Sequence, residues 1–239
     1  MRIDKLLSDM GVATRKEIKA VARRGGITVD GKVVKDPSLH IDEKAATVTY
    51  LGAVVKYTEY TYVMLNKPEG YVSATDDKSL PYVTELLPER ERRMELFPVG
   101  RLDKDTVGLM ILTNNGPLAH ALLSPRRHVE KVYSFECADP MCDGAEDLFL
   151  KGITLADGYE CKSAALVLNP DRLGGIITLT EGKYHQIKRM VAATGNKVTR
   201  LERISFGPLK LDPALDRGEW RYLTEFEVDE LNACNVNNS

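Results

Sequence analysis

A carboxylate beside an arginine marks the segment Gly100-Arg101-Leu102-Asp103-Lys104-Asp105-Thr106-Val107-Gly108-Leu109. This polar turn runs straight into an apolar stretch, Val107 to Leu112, that has to be buried. A side chain at the mouth of a rigid strand has its position set by the scaffold, which suits it for chemistry. Asp103 in that place is a candidate general base or nucleophile. A turn aspartate also commonly caps nearby amides, and Asp105 competes for the chemical role. Farther along, Glu181-Gly182-Lys183-Tyr184-His185-Gln186-Ile187-Lys188-Arg189-Met190 offers two cations, Lys188 and Arg189, able to face a carboxylate. An aspartate is ordinarily ionised at neutral pH, and a neighbouring cation keeps it so. Most helix cations are solvated instead, so neither segment is decisive alone.

The elements that must hold these groups are legible from periodicity. Tyr60 to Leu65 predicts a strand, broken by Asn66-Lys67-Pro68-Glu69-Gly70. Residues 82–95 predict a charged helix. Val107–Thr113, apolar on both faces, predicts a strand in a central sheet position. Asn114-Asn115-Gly116-Pro117 turns the chain into a helix over 117–123. Strands are expected at 129–137, 164–168, 175–180 and 197–206, and helices at 143–151, 184–194 and 225–233. Residues 235–239 are expected to fray. Strands outnumber helices without regular alternation, so the class is α+β, with a mixed, largely antiparallel sheet flanked by helices.

The N-terminal region reads as a separate unit. Ile3, Leu6, Leu7 and Met10 share one helical face, and Thr14 with Glu17 forms a capping box that starts a second helix. Ile27 to Val34 reads as two strands around Asp30-Gly31. Residues 1–52 carry ten Lys/Arg against seven Asp/Glu, net +3, leaving −5 for the rest of a chain whose total is −2. A basic end on an acidic average suits a module that meets a polyanion. Lys16, Lys19 and Arg23 fall on one face at spacings of three and four, joined by Arg15 and Arg24; Arg2, Lys5 and Lys32 extend the surface. A solvated helix face is the bland alternative.

The 239 residues, 43% hydrophobic, leave room for a substantial core. The four cysteines lack paired spacing and read as free thiols in a reducing compartment. Charges interrupt the N-terminus, so no signal peptide is expected, and no apolar run is long enough to span a bilayer. The expected location is the cytoplasm. The four histidines show no metal spacing, so no metal is expected.

Residues 1–52 resemble an S4 RNA-binding domain, through Arg2-Ile3-Asp4-Lys5-Leu6-Leu7, Thr14-Arg15-Lys16-Glu17-Ile18 and Gly26 to Val34. The rest resembles the pseudouridine synthases. Asn66-Lys67-Pro68-Glu69-Gly70-Tyr71 matches their first motif, and Gly100-Arg101-Leu102-Asp103 the second. Glu130-Lys131-Val132-Tyr133 matches the tyrosine motif, and Glu181 to Met190 the third. Ser124-Pro125-Arg126-Arg127-His128 and Gly218-Glu219-Trp220-Arg221 look most like the small-subunit (16S) rRNA branch, the RsuA type. The resemblance implies an S4 domain over 1–52, a linker over 53–59 and a catalytic domain over 60–239.

It also implies the roles. Asp103 starts the reaction at the ribose of an extruded uridine. Lys188, where many relatives carry arginine, pairs with that carboxylate, and Arg189 is the neighbour able to substitute. Tyr133 stacks on the base, Arg101 occupies the space of the displaced nucleotide or holds it, and Ile177 or Leu179 supplies an apolar wall. The conversion breaks N1–C1′ and joins C5 to C1′ with no electrons exchanged, so no cofactor is expected. The expected partner is ribosomal RNA or a small-subunit assembly intermediate, met by a monomer without membrane contact. Large-subunit (23S) rRNA is the alternative target; some such relatives carry long basic tails, and this chain ends soon after Trp220 without one. A catalytically silent assembly factor fits poorly with intact Asp103, Tyr133 and Lys188. A carbohydrate hydrolase would need two carboxylates flanking the bond.

Overall fold

Ile3, Leu6 and Leu7 line the buried face of α1 (Ile3–Asp9) in a computed structural model that describes residues 1–236. The Thr14 hydroxyl accepts the Glu17 amide, and the Glu17 carboxylate accepts the Thr14 amide, so α2 (Arg15–Arg23) starts where the capping box requires. Asp30-Gly31 joins β1 (Ile27–Val29) to β2 (Lys32–Val33), and β3 (Val48–Tyr50) pairs with β1 from the other side. The span 53–59, expected to be linker, opens with a strand, β4 (Ala53–Val55), paired with β3. Three residues are too few for alternation to reveal. The sheet runs β2-β1-β3-β4, and Ile18, Ala22, Ile27 and Val48 join the α1 face in one apolar core.

The chain divides into two units, Met1–Thr61 with Thr84–Phe97, and Tyr62–Val83 with Pro98 onward. Residues 84–97, expected in the larger region, thus group with the first unit. The Arg90 Nε donates to the Met10 carbonyl at 3.3 Å. A Cβ on Gly11 would stand 2.1 Å from the Arg90 carbonyl oxygen, so the close approach needs glycine. The continuous helix expected over 82–95 is instead a 3-10 turn (Val83–Leu86) and α3 (Glu89–Arg92). Pro88 stands between them; it offers no amide and ends one element while starting the next.

The second unit is built on one mixed sheet. Its elements follow β5 (Tyr62–Lys67) and the two-residue β6 (Phe97–Pro98) in chain order. They are β7 (Val107–Thr113), α4 (Gly116–Leu123), β8 (Lys131–Cys137), α5 (Ala145–Lys151), β9 (Ala165–Leu168) and β10 (Gly174–Leu179). Then come α6 (Gln186–Ala193), β11 (Val198–Phe206), β12 (Leu209–Lys210), β13 (Trp220–Tyr222) and α7 (Glu225–Val236). The sheet order is β13-β5-β7-β11-β8-β10-β9, with β12 on β11. Only β7–β11 is parallel among these pairs. The architecture is α+β, as the patterning requires. Leu109 to Leu112 are buried and β7 is interior, between β5 and β11. The α7 backbone is helical to Val236, past the point where fraying was expected; residues 237–239 lie outside the described part. Cys137, Cys142, Cys161 and Cys234 are free. Among the described residues no helix is long and apolar enough to cross a membrane.

Candidate active site

The loop before β7 is pinned from inside by a lysine. Lys67, at the end of β5, is fully buried, and its Nζ donates to the carbonyls of Thr106 (2.7 Å), Asp103 (3.0 Å), Pro68 (3.1 Å) and Lys104 (3.3 Å). Burial pushes its pKa down to about 8, against the opposing fields of Asp105, Asp103 and Glu69. Ser73 holds the other side: its Oγ donates to the Leu102 carbonyl at 2.7 Å and accepts the Leu102 amide at 2.9 Å. The Gly70 amide reaches the Lys104 carbonyl at 2.9 Å. The loop backbone is thereby held from both sides, and the Asp103 carboxylate remains about one-quarter exposed, at 26%.

Lys188 bridges the two aspartates of the loop, 3.0 Å from Asp103 Oδ2 and 2.5 Å from Asp105 Oδ1. Burial opposes its charge, but the bonds to Asp105 and Asp103 outweigh that and raise its pKa. Burial likewise works against the Asp105 carboxylate, and the Lys188 ammonium still holds it below the ordinary range. His185 Nε2 stands 3.5 Å from Asp103 Oδ1. Asp103 therefore faces two groups of α6 and its approach, while Asp105 is 63% exposed and meets one.

The placement of Lys188 follows from a polar knot before α6. Glu181, buried, accepts the Lys162 amide (2.9 Å) and Gln186 Nε2 (2.6 Å) on one oxygen and the Tyr159 hydroxyl (2.8 Å) on the other. Gln186 in turn accepts the Lys183 amide at 2.9 Å. Ile187, Met190 and Val191 bury the inner face of α6. Arg189 then turns away from the loop and pairs with Asp157 at 2.5 Å.

Register assembles the remaining groups. Lys67, Gly108, Arg203, Tyr133 and Ile177 are successive partners across β5, β7, β11, β8 and β10. Partners in register present their side chains to the same face. Tyr133, Ile177 and Arg203 are all buried. Leu179, also buried, is the partner of Lys131. Arg203 Nε donates to the Leu109 carbonyl at 2.8 Å, and its guanidinium lies 5.2 Å from the Phe206 ring centroid. Burial lowers its pKa, and Tyr133 is the group that opposes the shift. Lys131, 5.5 Å from the same ring, is pushed down to about 8 by burial and by Arg203. Arg101 is exposed. A cleft of about 670 Å³ is lined by residues including Glu69, Asp105, Lys188, Arg200 and Arg217.

Sequence alone did not assign Lys67, Ser73, Glu181, Gln186, His185 or Arg203. Lys67, Glu181, His185 and Gln186 stand inside quoted motifs, so a buried structural role was open to them; Ser73 and Arg203 carry no local signal. No group of three or more His, Cys, Asp or Glu side chains able to hold a metal occurs among the described residues.

In the first unit, Arg15, Lys16, Lys19, Arg23, Arg24 and Lys32 are exposed. Arg2 is bonded twice to Asp4 (3.0 and 2.6 Å), and Lys5 to Asp9 (2.6 Å). The exposed face of α2 is thus the larger source of unneutralised charge.

Known proteins resemble this chain over nearly its full length. The S4 domain model matches residues 1–45, and the RNA pseudouridylate synthase model matches residues 61–160. A Bacillus subtilis protein named uncharacterized RNA pseudouridine synthase YtzG is 46% identical over 97% of this chain and 98% of its own length. The Vibrio vulnificus ribosomal small subunit pseudouridine synthase A is 36% identical over 97% of this chain and 99% of its own. A crystal structure titled pseudouridylate synthase superposes with a TM-score of 0.68 at 34% identity, covering 97% of this chain and 99% of that one. An S4 module, a carboxylate loop met by a cationic helix and full-length likeness to these proteins lead to one assignment: the chain belongs to the RNA pseudouridine synthase family, in its S4-bearing, small-subunit synthase A (RsuA) branch.

Proposed function

We propose that the chain converts one uridine of small-subunit (16S) ribosomal RNA into pseudouridine and that Asp103 acts on the ribose. The observation that carries this reading is the Asp103 carboxylate, partly exposed on a loop whose backbone is fixed, with Lys188 at 3.0 Å. An ionised oxygen is needed whether it attacks C1′ or removes a ribose proton, and the Lys188 ammonium stands within hydrogen-bond reach of it. The uridine has to leave its stack to reach the loop, as bases do for enzymes that act on them. Tyr133 receives the detached base against the apolar wall of Ile177, its partner across β8 and β10. Leu179 extends that wall, and exposed Arg101, two residues before Asp103, takes the space the base vacated. Arg189 supports the approach to α6 through Asp157. The first unit carries the RNA-binding domain, with α2 facing phosphates, and the second unit the catalytic domain. The relatives named for the small subunit support the choice of RNA. A ribosomal substrate places the work in the cytoplasm, and no bond change in it calls for a redox cofactor.

Chemical mapping of pseudouridine in both ribosomal RNAs, from cells with and without the protein, tests the target. One position in small-subunit RNA is expected to lose its modification. A missing position in large-subunit RNA alone overturns the target and leaves the enzyme. Asp103→Asn tests the site, with an expected loss of about 10³-fold or more in turnover and RNA affinity retained; retained turnover removes Asp103 from the chemistry.

A further inference from the structure

We infer that Tyr184 and His185 form a stacking shelf for a nucleobase that flanks the extruded uridine. The inference rests on the reading of Asp103 given above. The two rings lie parallel, with centroids 3.9 Å apart and planes 17° from each other. His185 sits between the reacting carboxylate and the outer ring: its Nε2 is 3.5 Å from Asp103 Oδ1. Tyr184 is 75% exposed, so the stack buries one face of the phenol and presents the other to water. His185 occupies the N-cap position of α6 at φ 49, yet its side chain makes no cap bond. A non-glycine residue held in that backbone region is uncommon, and here it turns the ring toward the loop instead of the helix amides.

The chemistry of the shelf matches a base. When a uridine is extruded, its neighbour loses a stacking partner, and a parallel aromatic face restores one. Such stacking tolerates every base, because each has a π-face. A cation adjoins it for a flanking phosphate: Lys183, next to Tyr184 in the chain, is exposed, while Arg189, paired with Asp157, donates from Nη1 to the Tyr184 carbonyl at 3.4 Å and steadies the shelf backbone. The ligand class is therefore a nucleobase in single-stranded RNA, adjacent to the target and held without sequence readout.

The test uses the full-length protein and transcribed small-subunit ribosomal RNA. Tyr184→Ala is expected to raise KM about tenfold with kcat within about twofold, the size of effect that one base stack produces. Tyr184→Trp and Tyr184→Phe should restore KM, and Tyr184→Leu should not. Unchanged KM in Tyr184→Ala, a fall in kcat alone, or equal rescue by leucine overturns the shelf. A second measurement does not need turnover: an oligouridylate carrying one 2-aminopurine, bound to Asp103→Asn protein. Fluorescence quenching that disappears with the added Tyr184→Ala change supports the shelf even where no pseudouridine forms, and that result separates it from the reaction. Quenching that Tyr184→Ala leaves intact overturns the shelf while the reaction stands.

Discussion

The buried ammonium of Lys67 holds Asp103 by its backbone carbonyl, at 3.0 Å, and leaves the carboxylate to Lys188. One cation sets where the loop lies and another pairs with the side chain it carries. The two functions are separable by mutation.

Lys67→Met is expected to leave four carbonyls without their donor and to lower stability by roughly 1–3 kcal/mol, read from the urea midpoint. Turnover should fall at least about tenfold while RNA affinity holds, because the loop is displaced and the RNA-binding unit is untouched.

The same lysine has a pH signature. Its pKa is about 8 in the folded chain against 10.5 ordinarily, so between those values the unfolded chain binds more protons. Stability from this group therefore rises with pH across that window. Activity moves the other way, since the neutral amine has fewer N–H groups for the same carbonyls. Asp105, Asp103, Glu69 and Lys188 all face it and shift the limb together. Lys131 titrates in the same range, so the comparison is with Lys67→Met, in which the alkaline fall in turnover beginning near 8 should be absent. An unchanged alkaline limb in that variant assigns it elsewhere.

Lys188→Gln removes the partner of two carboxylates and is expected to lower kcat/KM about 100-fold, while Lys188→Arg retains most of it. Asp105 provides an independent readout. Its carboxyl lies below the ordinary 3.8, so its contribution to stability is present above that pH and is lost as pH falls through the lowered value. In Lys188→Gln that acid dependence should shrink.

Gly108 is expected to be intolerant of any side chain. Its φ is +99, and an added Cβ would stand 2.3 Å from the Arg203 carbonyl oxygen. Gly108→Ala should cost about 3 kcal/mol or more in denaturant unfolding. Gly70→Ala is the control, with φ +92 and nothing within 4 Å, and should cost about 1 kcal/mol from backbone strain alone. Equal losses would show that the close approach of β7 to β11 does not decide the residue.

Lys16, Lys19 and Arg23, all exposed on α2, should together reduce the salt dependence of RNA binding when changed to alanine. The slope of log affinity against log salt is expected to fall by about 2 to 3, since each phosphate left without its cation removes about 0.7–0.9. kcat at saturating RNA should stay within about twofold.

Local chemistry made much of this molecule readable from the chain alone. The Thr14–Glu17 box, the Asp30-Gly31 hairpin and the apolar runs of β5 and β7 are each determined within a few residues, by hydrogen bonding and period. Where one proline intervened, at Pro88, the helical charge pattern of 82–95 misled, because composition does not register a missing amide. The short strands β4, β12 and β13 were missed, since two or three residues carry no period; β4 and β12 fold back on the strands just before them, and β13 pairs with distant β5.

The motifs placed Asp103 and Lys188 in the sequence, but 85 residues separate them. Which of Lys188 and Arg189 meets the carboxylate was decided by the knot of Glu181 and Gln186, which sets the phase of α6. The row from Lys67 to Ile177 depends on strand register across five strands, and register is a property of the assembled sheet. Residue types and short-range spacing were thus determined by the sequence itself. Partnership between groups far apart in the chain was decided only by tertiary structure, because burial and backbone pairing select one neighbour from several of the same charge.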